Sequence, residues 1–170
     1  MSMLVHLAEA KLVLPQVLNT TDGWSTVYAD TERPKLSRVW RPFGPFRIYL
    51  HILEPCKAEE AFYHPHPWPM ATEIQQGQYE QCSGHGDPDA AQGPPVTDTR
   101  VFRKGDAYEI MDPNTWHSVR PLDTLCLTFM ISGIPYEGSS GQRRGNTPSR
   151  PLEYEELGMM LYMFRSLMLA

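Results

Sequence analysis

The chain has 170 residues, 41% of them hydrophobic and 21% charged, which is enough for one globular domain with a buried core. Its formal net charge of −5, without a long basic run, argues against nucleic acid as the main partner. No stretch approaches the roughly 18 apolar residues of a membrane span. Three cysteines without a CxxC spacing argue against a disulfide framework and favour a reducing cytoplasm as the location.

The first predicted elements are a short helix and an amphipathic strand. Residues 4–18 favour a helix that is broken near Pro15, since proline lacks the amide proton that a helix interior uses. From Trp24 onward the pattern is strand-like, and residues 46–53 alternate with the period of two that a strand requires. One face of that strand carries Phe46, Ile48, Leu50 and Ile52, and the other carries Arg47, Tyr49 and His51.

Seven further strands are predicted downstream, separated by residues that are typical of turns. They cover residues 61–66, 70–76, 78–82, 97–102, 107–111, 115–120 and 124–132. Gly77 is predicted to form a turn, and residues 83–95 form a Gly- and Pro-rich loop that is either a mobile lid or a simple excursion of the chain. Many short strands over about residues 24–133, without βαβ units, are typical of an antiparallel sandwich or barrel.

The C-terminal part predicts a polar linker over residues 138–149 and a helix over residues 150–169, with Ser149 as its N-cap. An apolar stripe on this helix either covers the outer face of a sheet or forms a dimer contact, and a homodimer is the expected assembly. We expect residues 1–170 to form a single domain. The stripe consists of Leu157, Met160, Leu161, Phe164, Leu167 and Met168.

Three histidines form the most informative pattern in the sequence. His64 and His66 lie two residues apart, so on a strand both side chains project from the same face. His117 follows about fifty residues later and, from a neighbouring strand, would complete a cluster of three imidazoles. Such a cluster is the minimal protein site for a divalent transition metal with open positions for chemistry. A structural polar cluster and a vestigial metal site are the alternatives.

The segment from about residue 46 to residue 133 resembles the cupin superfamily. The first cupin motif reads His-x-His, then Glu, then Gly, and the second reads Gly, then Pro-x-Gly-x-x-His. The narrower phrase His-x-His-Pro-Trp followed by Gly-x-Tyr-x-Glu is similar to a group of small cupin-like proteins. The resemblance implies an all-β fold, the double-stranded β-helix or jelly roll, with a metal held inside near one mouth. The matching residues are His64, His66, Gly77, Gly105, Pro113 and His117.

Two positions depart from the cupin pattern. Met70 stands where the usual glutamate ligand would be, and the nearest carboxylate, Glu73, faces away from Met70 by strand parity unless a bulge shifts the phase. We therefore expect a three-histidine site, with Glu73 as a candidate fourth ligand or catalytic group. The second motif is one residue short between Pro113 and His117 and lacks its glycine, so a slight displacement of His117 is expected.

Other side chains are candidates for the same pocket. Tyr79 could supply a phenolic hydroxyl to a substrate as a hydrogen-bond donor or weak acid. Trp68 and Trp116 adjoin the histidines and either wall the site or pack as ordinary core. His51, on the polar face of its strand, could also line the pocket.

The first functional hypothesis is a metal-dependent cupin enzyme that acts on a small molecule. Fe(II) is the first choice of metal, and the three-histidine set resembles that of the Fe(II) thiol dioxygenases, which implies dioxygenation. Zn, Ni or Mn are the alternative metals, and Zn or Ni would suit Lewis-acid isomerisation or hydrolysis. A non-catalytic cupin that binds or senses a small molecule is the second hypothesis, and an assembly protein that uses its C-terminal helix is the third.

Overall fold

Two antiparallel sheets and two helices make up the structure, a computed structural model that describes residues 2–30, 33–85, 96–137 and 149–169. Helix α1 spans Met3–Val17, helix α2 spans Tyr154–Leu169, and a short 3-10 turn covers Ala58–Glu60. The strands are β1 (Ser25–Ala29), β2 (Leu36–Phe43), β3 (Phe46–Leu53), β4 (His64–Pro65), β5 (Met70–Gln76), β6 (Gln78–His85), β7 (Val96–Arg103), β8 (Ala107–Ile110), β9 (Thr115–Pro121), β10 (Cys126–Ser132) and β11 (Ser149–Arg150).

The strands pair in an order that does not follow the chain. A large sheet has the order β11-β1-β2-β3-β10-β5-β8, and a smaller sheet has the order β4-β9-β6-β7. Every strand pair is antiparallel. The expected all-β jelly roll with N- and C-terminal helices is confirmed. Most of the predicted loop and linker, residues 86–95 and 138–148, lie outside the described residues.

The large sheet separates the apolar core from an internal cavity. Both helices pack on its outer face, where the buried side chains of β3 and β10 meet those of α1 and α2. The predicted alternation of β3 is confirmed, because Ile48 and Leu50 lie in this core whereas Tyr49 and His51 line the cavity. The polar face of the strand thus points into the barrel and its apolar face lies under the helices.

Helix α1 continues through Pro15, which corrects the expected break. Pro15 lies in the last turn, where its missing amide proton removes only one helical hydrogen bond. Leu7 and Leu14, seven residues apart on one face, are buried in the core beneath the helix, and this packing holds the last turn in place. No helix in the described part of the chain has the length and apolarity needed to cross a bilayer.

Helix α2 begins four residues later than predicted, and Ser149 is not its N-cap. Ser149 and Arg150 instead form β11, which pairs with the edge strand β1. Arg150 precedes a proline, and a residue in that position is disfavoured in the helical region. The apolar stripe of α2 packs on the large sheet, as one of the two interpretations expected, with Leu157, Met160, Leu161 and Phe164 buried in the core.

Gly77 joins the two sheets at the tight turn between β5 and β6, as predicted. Its φ angle is +77°, and a Cβ atom there would lie 2.5 Å from the carbonyl oxygen of Leu125. We expect Gly77→Ala to lower the free energy of unfolding by about 2–4 kcal/mol, through left-handed backbone strain and overpacking against main chain. Urea unfolding measures this loss.

Gly44 provides the matched control for that prediction. Its φ angle is +57°, but a Cβ atom there would meet nothing within 4 Å. Gly44→Ala should therefore cost only the backbone term of about 1–2 kcal/mol. Equal losses for the two variants would contradict the assigned role of the contact with Leu125.

Candidate metal centre

The cavity between the two sheets is built from side chains that lie side by side across neighbouring strands. One row crosses five strands of the large sheet, and a second, shorter row lies beside it. The cavity has a volume of about 540 Å³, and its wall is rich in aromatic rings. The first row consists of Trp40, Tyr49, Met130, Thr72 and Tyr108, and the second of Arg38, His51 and Thr128.

The three predicted histidines meet in the wall of this cavity. His64 on β4 and His117 on β9 are direct partners in the register of the smaller sheet. His66 follows β4 immediately and projects to the same side as His64. Strand pairing with β4 places His117 directly opposite His64. In the part of the chain that the structure describes, these histidines form the one group of ligand-type side chains close enough to hold a metal.

The spacing of the imidazole nitrogens fits a shared ion. Nε2 of His117 lies 2.8 Å from Nε2 of His66 and 3.2 Å from Nε2 of His64. Two nitrogens that each lie about 2.0–2.1 Å from one ion are about 2.8–3.4 Å apart for bond angles between 90° and 109°. Both separations fall in that range, and the ligand atoms of all three histidines lie within 4.8 Å of one another. His117 is therefore placed to share a divalent transition metal with His64 and with His66.

The three imidazoles are in the neutral form that a metal ion requires of its histidine ligands. Burial lowers the pKa of His64 to about 4, and burial also holds the pKa values of His66 and His117 well below the usual range. At neutral pH all three imidazoles are therefore uncharged and keep a lone pair for a metal. The Nδ1 atom of His64 lies 3.4 Å from the carbonyl oxygen of Phe62, and an Nδ1–H donated there leaves Nε2 as the free lone pair.

The structure does not bring Glu73 to the histidines. Its carboxylate forms an ion pair with Lys11 of α1, on the face of β5 opposite the cavity. Met70 and Thr72, at the alternate positions of the same strand, line the cavity instead. The strand parity read from the sequence holds, no bulge reverses it, and we do not propose Glu73 as a ligand or catalytic group.

We expect Glu73→Gln to keep the full metal content of the purified protein. The ion pair with Lys11 is partly exposed, so its loss should lower the free energy of unfolding by about 1 kcal/mol or less. Elemental analysis and urea unfolding of the same sample check both statements. A variant that is folded but loses its metal would restore Glu73 to the ligand set.

Tyr79 lines the cavity, as expected, but its hydroxyl is already engaged. It donates a hydrogen bond of 2.6 Å to the hydroxyl of Tyr108. Burial raises the pKa of both phenols, so both stay neutral at physiological pH. The predicted hydroxyl is thus part of a pair, and Tyr108 was not anticipated.

Arg38 is the second residue that the sequence analysis did not anticipate. Its Nε atom donates to Nε2 of His51 at 3.0 Å, and Nδ1 of His51 lies 3.0 Å from the hydroxyl of Thr128. His51 therefore lines the cavity, as one alternative held, but it is occupied by these two neighbours. The available signal was the parity of β2, on which Arg38 and Trp40 lie two residues apart.

Two tryptophans complete the wall next to the histidines. Trp68 and Trp116 both line the cavity, and the ring of Trp68 stacks with that of Tyr49 at a centroid distance of 6.4 Å. By contrast, His85 lies outside the site, where its Nε2 atom contacts Asp112 and Thr115 at 3.2 Å. The two tryptophans thus lie in the cavity wall together with the three histidines.

Comparisons with known proteins agree with the fold. No family model matches the chain, and the search of curated proteins gives no significant match. A solved structure of FeII HppE in complex with substrate aligns with a TM-score of 0.50 and 7% identity, over 66% of this chain and 58% of that chain. Hydroxypropylphosphonic acid epoxidase from S. wedmorenis aligns with a TM-score of 0.49 and 6% identity, over 63% and 55%. KdgF from Halomonas sp. aligns with a TM-score of 0.45 and 16% identity, over 65% and 88%.

The extent of these matches limits what they show. The chain spans about half the length of the HppE and epoxidase structures that it matches. At such low sequence identity the HppE likeness establishes a shared fold and nothing about activity. The function of this chain therefore has to be argued from its own side chains.

Proposed function

We propose that this protein is a cupin enzyme that uses a divalent metal, with Fe(II) as the first choice, to oxygenate a small molecule. The observation that carries the proposal is that three neutral imidazoles, from His64, His66 and His117, meet in the wall of a cavity rich in aromatic rings. HppE has been solved with FeII and with CoII, but that likeness concerns the fold. The ligand set of this chain is what points to the metal.

The chemistry of the ligand set suits a reactive centre more than a structural one. Structural zinc sites usually close four protein ligands around the ion, whereas catalytic sites leave positions open. Among the described residues, three histidines form the group and no carboxylate joins it. A bound Fe(II) would keep its full 2+ charge and supply open positions for dioxygen and an anionic substrate.

The surrounding residues would perform the remaining tasks. Trp68 and Trp116 line the cavity beside the histidines, where their rings would limit the access of water to a reacting group. The Tyr79–Tyr108 pair offers neutral phenols that can orient a substrate by hydrogen bonding. We assign Tyr79 the role of a positioning residue, because its hydroxyl donates to Tyr108 and orients the hydroxyl of that residue in the cavity wall.

The test is dioxygen consumption by iron-loaded protein against a panel of small organic acids. We expect oxygen uptake that depends on both iron and the acid, and that zinc-loaded protein does not show. Tyr79→Phe should keep its iron and lower the rate, because Tyr108 loses the hydrogen bond that orients its hydroxyl. Binding of an acid without oxygen uptake, turnover or isomerisation would instead identify the non-catalytic binding cupin.

The proposal also includes the cellular location of the protein and the kind of partner it binds. Cys56, Cys82 and Cys126 are all free thiols, and burial raises the pKa of Cys126 to about 12, which makes that thiol unreactive. Free thiols agree with a reducing cytoplasm. A small molecule, rather than nucleic acid or a membrane, is the proposed partner.

A further inference from the structure

A second, smaller pocket adjoins the cavity beside the turn between β2 and β3. It has a volume of about 310 Å³, and we call it the outer pocket. Arg47 and Trp68 line both spaces, so these two side chains lie at the boundary between them, the cavity mouth. The rest of the outer pocket is mostly apolar and is lined by Pro42, Gly44, Pro45, Phe46, Ser132, Gly133, Ile134 and Pro135.

Strand pairing places the cavity mouth close in the fold to the three histidines. Arg47 lies on β3 directly beside Ser132, the last residue of β10. The next residue, Gly133, donates its backbone N–H to the carbonyl oxygen of Pro69 at 2.8 Å. Pro69 follows His66 by three residues. One short segment of chain thus connects the cavity mouth with the histidine group.

Arg47 brings a positive charge to the cavity mouth. It lines the cavity from β3, as Tyr49 and His51 do, but it lies near the start of the strand and is exposed. Its guanidinium forms no ion pair with any residue that the structure describes. No aspartate or glutamate is among the described residues that line either space. A guanidinium has only N–H donors and keeps its charge at any physiological pH, so Arg47 favours an anionic group at this position.

We infer that Arg47 selects an organic acid as the ligand, with the acid group at the cavity mouth and the apolar body past Trp68 inside the cavity. An acid group at an exposed arginine keeps part of its hydration, so its binding avoids most of the cost of burying a charge. The aromatic wall of the cavity suits the apolar body. The inference rests on the proposed function, since this acid would be the substrate of the three-histidine centre.

The experiment is calorimetric titration of the purified protein with phenylpropionate and with its neutral isostere phenylpropionamide. We expect the acid to bind roughly three- to tenfold tighter at low salt, since the acid alone forms a charge-assisted hydrogen bond and water weakens that bond at an exposed site. Added salt should reduce the preference by screening the charge. Arg47→Met should abolish the preference, and Arg47→Lys should keep part of it because the charge remains.

Arg41→Met is the matched control. Arg41 lies on β2 in the same hairpin, opposite Ile48, which is the residue after Arg47 and faces the other side of the sheet. Its guanidinium lies over the ring of Trp24, 5.4 Å from the centroid, and lines neither the cavity nor the outer pocket. The variant should therefore keep the full preference for the acid.

Two results would overturn the inference. Equal affinities, or no binding of the acid, would do so on the unaltered protein, even if Arg47→Met did not fold. A preference that survives in folded Arg47→Met would assign recognition of the acid to another group, such as a bound metal. Metal analysis of the same sample separates the two proposals, because a metal-free protein that prefers the acid through Arg47 would leave recognition by Arg47 standing and remove the proposed function.

Discussion

Replacing His117 with alanine is expected to strip the purified protein of its metal. His117 is the middle donor, with its Nε2 atom within 3.2 Å of the corresponding atoms of both other histidines. Loss of a group that merely supports a ligand costs about 10- to 100-fold in affinity, so loss of this ligand should cost at least about 100-fold. Elemental analysis and competition with a calibrated chelator give the metal content and the affinity.

His85→Ala is the control for that experiment. His85 lies on β6, next to β9, but its side chain contacts Asp112 and Thr115 at the surface. The variant should therefore keep one equivalent of metal. A folded His117→Ala protein that retains its metal, or a His85→Ala protein that loses it, would mean that the ligand set is wrong.

Replacing Phe164 with alanine is expected to lower the free energy of unfolding by about 3–5 kcal/mol. Phe164 is fully buried where α2 packs on the outer face of the large sheet. Truncation removes a large apolar contact and leaves a cavity between two rigid layers. Urea unfolding at constant pH measures the loss.

Tyr162, two residues earlier on the same helix, supplies the comparison. Its side chain is 57% exposed and contacts the guanidinium of Arg165, 5.7 Å from the ring centroid. Tyr162→Ala should therefore cost about 1 kcal/mol or less. Similar losses in both variants would contradict the packing of α2. The homodimer stays a prediction, and the mass of the Tyr162→Ala variant in solution tests whether this exposed face contributes to it.

Local patterns predicted much of the barrel. The alternation of residues 46–53 correctly separated core from interior, and parity correctly placed Glu73 on the far side of β5 from Met70. Both results depend only on the period of two in a strand, which a sequence displays directly. The turn at Gly77 was likewise predicted from a local property, the conformational freedom of glycine.

Features that depend on pairing between distant strands were not predictable. The sequence does not show that β2, β3 and β10 are neighbours, so the row of Arg38, His51 and Thr128 was not anticipated. The same holds for Tyr108 beside Tyr79, which lie on different sheets. Helix α2 starts late because residues 149–150 pair with an edge strand far away in the chain.

A single metal ion bound by three imidazoles would be visible by anomalous diffraction from crystals of protein purified without added metal. We expect one anomalous peak in the cavity wall, within about 2.0–2.2 Å of the Nε2 atoms of His64, His66 and His117. Data collected on both sides of the iron absorption edge identify the metal. A folded protein with no peak there, or with a peak beside other residues, would show that the three histidines do not form a metal centre.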